Sequence, residues 1–186
     1  MVRGRKQPRP AARESAIFSW LPGRVRLLFN RSDRERTVNV DDIIFQLIRL
    51  KSKGYCCAQI VVILALEAQG KTNDDLVRSL GGLCYGVNWS GEICGALSGG
   101  ACLISLYAGK GGEKEEASGL YLTMLGEFVR WFNESASEEY GGTRCNEIMK
   151  KYPDRSICGQ IVAETYGKCM DILVSHGFDP AVARNG

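Results

Sequence analysis

Twenty residues from Ser90 to Gly109, Ser-Gly-Glu-Ile-Cys-Gly-Ala-Leu-Ser-Gly-Gly-Ala-Cys-Leu-Ile-Ser-Leu-Tyr-Ala-Gly, constrain this chain more than any other stretch. They read as a helix built from small and apolar residues around a cysteine. Ser90 is a good N-cap, Glu92 lies where the helix dipole favours an acid, and Gly109 is a natural stop. Between those signals Gly95, Gly99 and Gly100 leave one face nearly without side chains. Each glycine costs roughly 1 kcal/mol of helix propensity relative to alanine. Such a cost implies that something comes close to the backbone. A neighbouring helix is the plain candidate, and a cofactor beside Cys94 is the sharper one.

The 186 residues are enough for one domain with a sizeable core and a tail. Residues 1–36 carry ten Lys/Arg against three Asp/Glu, whereas residues 37–186 carry fourteen against eighteen, so the net +3 conceals a basic arm on an acidic body. We divide the chain into an arm, residues 1–37, too polar and proline-broken to order itself, and a helical, cysteine-bearing domain, residues 38–186. The arm lacks aromatic-basic interleaving, which makes it a solvated tail rather than a nucleic-acid-binding segment. No secretory signal is read in it. The most hydrophobic run, Cys56 to Ala68, is shorter than the ~20 residues a membrane span requires. A soluble, cytoplasmic protein is expected, and there structural disulfides are rare, so eight cysteines need another explanation.

Helical signals fill the domain. Asn39 caps a helix with the stripe Ile43, Ile44, Leu47, Ile48, ended by Gly54; Tyr55 to Ala68 is apolar on nearly every face. Thr72 with Asp75 resembles a capping box for a helix carrying Leu76, Val77 and Leu80. Ala117 to Ala136 is amphipathic, with Leu120, Met124, Leu125, Phe128, Trp131 and Phe132 inward. Thr143 caps a short helix, and Ser156 caps the last, Ile157 to Ser175. Trp89, Trp131 and Tyr107 are expected in the core. Only Arg24 to Phe29 alternates like a strand. The fold expected is all-α, a single compact bundle of about six or seven helices with a basic, partly disordered N-terminal arm.

On those helix starts, Cys57, Cys94, Cys145 and Cys158 each fall in the first turn of a different helix. There N–H groups lack partners and the dipole is positive, so thiolates are favoured. Cys158 and Cys169 share a helix face but lie roughly 16 Å apart, and Cys94 and Cys102 about 12 Å, so neither pair can serve one small site. Cys84, Cys102 and Cys169 are read as buried small hydrophobes, with Cys56 undecided. No C-x₂-C pair marks a zinc ribbon or ferredoxin, His176 sits at a helix end as a terminal cap, and neither haem-attachment nor nucleotide-binding motifs occur.

The residues resemble a known family, the redox-active proteins named C-GCAxxG-C-C. Gly54-Tyr55-Cys56-Cys57-Ala58-Gln59 is similar to its G-Y-x-C-A-Q, with Cys57 as the first cysteine. Cys94-Gly95-Ala96-Leu97-Ser98-Gly99 resembles the central motif, with cysteine before glycine where the family's name has the reverse. Cys145 and Cys158 match the third and fourth cysteines. The resemblance implies a small all-helical redox domain, related to one that carries an iron–sulfur cluster in split-Soret cytochromes. Three readings stay open. Cys57, Cys94, Cys145 and Cys158 bind an iron–sulfur cluster, with Gly95 and Gly99 giving it room, in an electron-transfer accessory protein served by a redox partner. Alternatively, first-turn thiols, Cys57 with Cys94 for example, cycle as a thiol–disulfide oxidoreductase. In the third, a structural zinc site with four cysteine ligands holds a helical interaction protein together. Homo-oligomerisation is left open.

Overall fold

Gly54 and Gly70 take left-handed backbone conformations, φ 89° and 64°, and each ends a helix where the sequence puts glycine. The computed structural model describes residues 40–183. Within them seven helices follow in order: α1 Val40–Ser52, α2 Cys57–Ala68, α3 Asp74–Leu80, α4 Gly95–Ala108, α5 Tyr121–Ser135, α6 Cys145–Lys151 and α7 Cys158–Ser175. Among the described residues the one strand-like feature is a single antiparallel bridge, Ile93 with Arg144. The expected Asn39 cap, the expected Arg24–Phe29 strand and the expected disorder of the arm fall on residues outside those described.

α4 occupies the centre and packs against α2, α5 and α7. Its glycines explain how. A Cβ on Gly99 would sit 2.9 Å from Ala58 Cα in α2, and one on Gly100 would sit 2.3 Å from the Phe128 ring of α5 and 2.9 Å from Thr165 Cγ2 of α7. At both positions the close neighbour is a helix. Around this contact Tyr107, Phe128, Phe132, Leu103, Ile104 and Met124 are fully buried. The Tyr107 hydroxyl donates to the carbonyls of Pro180, 2.8 Å, and Ala65, 3.3 Å, tying the C-terminal segment to α2. Arg49 grips Glu67 with one guanidinium nitrogen at 2.7 and 2.9 Å, joining α1 to α2.

Several boundaries differ from expectation, each for a local reason. α4 starts at Gly95 rather than at Ser90, because Gly91, Glu92 and Cys94 spend their backbone groups on the approach to α6. α3 is capped by Asn73, whose side chain accepts the Leu76 N–H at 3.0 Å, and not by Thr72. α6 follows Arg144, because Glu147 accepts the N–H groups of Thr143 and Arg144, each at 3.0 Å. α7 follows Ile157, since Ser156 turns back to Asp154. α5 starts at Tyr121, buries Met124, Phe128 and Phe132, leaves Leu120 exposed, and widens into a π-turn, Ala136–Tyr140. Of the α1 stripe, Ile43 and Leu47 are buried but Ile44 and Ile48 are exposed, with Leu50 facing inward instead. Among the described residues no helix is long and apolar enough to cross a membrane.

Candidate functional site

Three of the four helix-start cysteines occupy the first residue of their helices: Cys57 in α2, Cys145 in α6 and Cys158 in α7. Cys94 stands one position earlier, as the N-cap of α4. The order Cys94-Gly95 therefore puts the sulfur on the cap and leaves the first helical position bare. That bareness has a use: a Cβ on Gly95 would lie 2.2 Å from Cys57 Sγ and 3.2 Å from the Leu83 carbonyl oxygen. Gly95 thus seats the Cys57 sulfur against α4, while Gly99, one turn on, seats the α2 backbone.

Backbone pairing places the next sulfur. The Cys145 N–H donates to the Glu92 carbonyl at 2.7 Å, the Asn146 N–H to Gly91 at 2.9 Å and the Cys94 N–H to Thr143 at 3.4 Å. Alternation along a paired segment puts Cys94 and Cys145 on the face opposite Ile93 and Arg144. Ile93 and Arg144 are exposed, whereas Cys94 is buried and Cys145 half-buried. Gly86 closes on the same spot, since a Cβ there would lie 2.7 Å from that of Cys145. Gly86 belongs to a run with left-handed φ throughout, Tyr85 58°, Gly86 67°, Val87 61°, Asn88 51° and Trp89 67°. Four non-glycine residues in that region cost on the order of 1–2 kcal/mol each.

Cys57 acts electrostatically on each of the other three helix-start cysteines. Burial pushes the Cys94 thiol up to about 12 from 9.0, the N–H groups of Ala96 and Leu97 oppose this, and Cys57 and Cys145 push it higher. Burial and then Cys57 raise Cys145, against the charge of Arg155. Burial, Cys57 and Cys145 raise Cys158, against Arg155 and Lys51. The expectation that helix N-termini hold these cysteines as thiolates is thereby corrected for Cys94, Cys145 and Cys158. Desolvation and crowding of like groups outweigh the dipole. Among the described residues no three His, Cys, Asp or Glu side chains form a ready coordination group. The sulfurs are electrostatic neighbours rather than a closed shell.

Sequence reasoning missed two features. Cys56, the N-cap of α2, is disulfide-bonded to Cys84, with Cα atoms 5.9 Å apart, so Cys84 is a cross-link and not a lone buried hydrophobe. Trp89 is exposed rather than in the core; it stacks on Tyr85 with ring centroids 4.4 Å apart, and the Arg155 guanidinium sits 4.0 Å from its centroid. No spacing signal marks the Cys56–Cys84 bond or the seat of Arg155 on Trp89, because each joins segments brought together only by the fold. Cys102 and Cys169 are free thiols, Cys169 fully buried with its Sγ 3.6 Å from the Gly100 carbonyl oxygen. His176 caps α7 through its backbone N–H, and its Nε2 meets Glu127 at 3.1 Å.

A family model described as "Putative redox-active protein (C_GCAxxG_C_C)" matches residues 55–172, well over half the chain and a span that contains all four helix-start cysteines. The chain belongs to the C_GCAxxG_C_C family. No curated protein and no solved structure matches it. For a C_GCAxxG_C_C protein the relevant chemistry is that of sulfur. Cysteine thiolates are the soft donors that iron–sulfur clusters and zinc take, and the space a Cβ would fill at Gly95 is held by the Cys57 sulfur.

Proposed function

We propose that Cys57, Cys94, Cys145 and Cys158 hold an iron–sulfur cluster, and that this chain is a cytoplasmic electron-transfer accessory protein working with a redox partner. The carrying observation is that Gly95 seats the Cys57 sulfur at the start of α4, and that Cys57 is among the groups that raise the proton affinity of Cys94, Cys145 and Cys158 at the starts of three other helices. When bound, the cluster supplies one-electron chemistry, with a potential set by N–H donors to sulfur, net charge and solvent access. The chain's own part is to present the sulfurs, release their protons on binding, and direct the first-turn N–H groups of Ala96 and Leu97 toward Cys94. The disulfide beside Cys57 favours, as a second reading, thiol–disulfide exchange.

Purification without oxygen, followed by iron and sulfide analysis and a visible spectrum before and after dithionite, separates the readings. Iron and sulfide with a band that bleaches on reduction support the cluster. Stoichiometric zinc in a colourless protein points to a structural site. Neither metal nor colour after reconstitution, with a dithiol-dependent change in free thiols, points to exchange chemistry.

A further inference from the structure

Arg155 is held unusually. Its backbone is left-handed, φ 59°, a cost that a non-glycine residue bears only where the surroundings impose it. It is half-buried, and among the described residues no carboxylate stands within ion-pair distance of it. Its neighbour Asp154 is occupied by the Ser156 N–H and hydroxyl. What receives the guanidinium is a pair of rings, Trp89 at 4.0 Å and Tyr85 at 5.2 Å, which stack on each other and belong to the left-handed run that brings Gly86 against Cys145. An aromatic seat fixes a cation without neutralising it. Arg155 itself lies three residues before Cys158, whose N–H donates to the Arg155 carbonyl at 3.1 Å.

We propose that Arg155 is the fixed counter-charge of the four-cysteine site, a positioning residue clamped by the Tyr85–Trp89 stack so that its positive charge faces Cys145 and Cys158. The opposing influence of Arg155 on the proton affinities of both cysteines agrees with this placement. The purpose of the charge rests on the four-cysteine reading above: a divalent core bound by four thiolates carries net negative charge, and a nearby cation offsets part of it.

Alkylation of the reduced, metal-free full chain tests this, using anionic iodoacetate and neutral iodoacetamide and reading each cysteine by peptide mass spectrometry. The ratio of the two rates cancels the thiolate fraction and reports the local field. The ratio at Cys145 and Cys158 is expected to exceed that at Cys102 in the wild type and to fall about threefold or more in Arg155→Gln. It should be restored in Arg155→Lys and lowered in Trp89→Leu, which removes the seat. Raising ionic strength on the wild type should lower the ratio at the same two cysteines and not at Cys102, a readout that needs no variant to fold. A ratio at Cys145 and Cys158 that is insensitive both to Arg155→Gln and to salt overturns the proposal. A wild-type protein that takes up neither iron nor cobalt(II) overturns the cluster reading and leaves the rate-ratio result to decide Arg155.

Discussion

Cys94 concentrates two opposed effects on one atom. As an N-cap it receives the influence of the Ala96 and Leu97 N–H groups, which favour the thiolate, while burial beside two other cysteines favours the thiol and wins. The native state therefore keeps the Cys94 proton to about pH 12, whereas a thiol with the ordinary value of 9.0 releases it earlier. A group raised in this way lends its full stability below the unfolded value and loses it as pH rises through the window from 9.0 to about 12. Cys169, raised by burial, adds in the same direction. The urea midpoint of the metal-free, dithiol-free protein should fall across that window, and fall less in Cys94→Ala; a flat profile in the wild type would contradict the assignment.

Among the elements, α4 shows how far sequence carries and where it stops. Its glycines were legible as a demand for close approach, and the structure divides that demand: Gly99 and Gly100 admit helices, while Gly95 admits a sulfur. The Ser90 start was misread because capping chemistry is local, whereas Glu92 and Cys94 are drawn away by residues some fifty positions later in the chain. The same holds for Thr143 and Ser156, good caps whose expected work is displaced by Glu147 and Asp154. At the α2–α4 contact, Gly95→Ala should destabilise the metal-free protein by about 1–3 kcal/mol through overpacking. It should also impair metal uptake, because the Cys57 sulfur has to leave its seat. Denaturant unfolding followed by a cobalt(II) titration reads both effects.

At the scale of the molecule, the all-α architecture was readable from hydrophobic periodicity and glycine breaks, and the family from short motifs around Cys57, Cys94, Cys145 and Cys158. The partnership of Cys56 with Cys84 was not. Their separation of 28 residues carries no local signal, and a compartment argument pointed the other way. The aromatic seat of Arg155 was hidden likewise, since stacked exposed rings and a left-handed run follow from neither propensity nor pattern. The cross-link closes a loop that includes α3, so Cys84→Ala should lower stability by about 2–4 kcal/mol. Chemical unfolding of the variant beside the wild type, with and without dithiol, checks this: dithiol should bring the wild type toward the variant and leave the variant unmoved.

The bridge between Ile93 and Arg144 has a consequence for how such a pocket comes into being. Main-chain hydrogen bonds, not sulfur chemistry, pair residue 94 with 143 and residue 145 with 92, so the two cysteines flank the bridge diagonally and take their places as the polypeptide folds. Deleting one thiol then leaves its neighbour at its station, and the entropy of gathering distant stretches of chain has already been met by the fold itself.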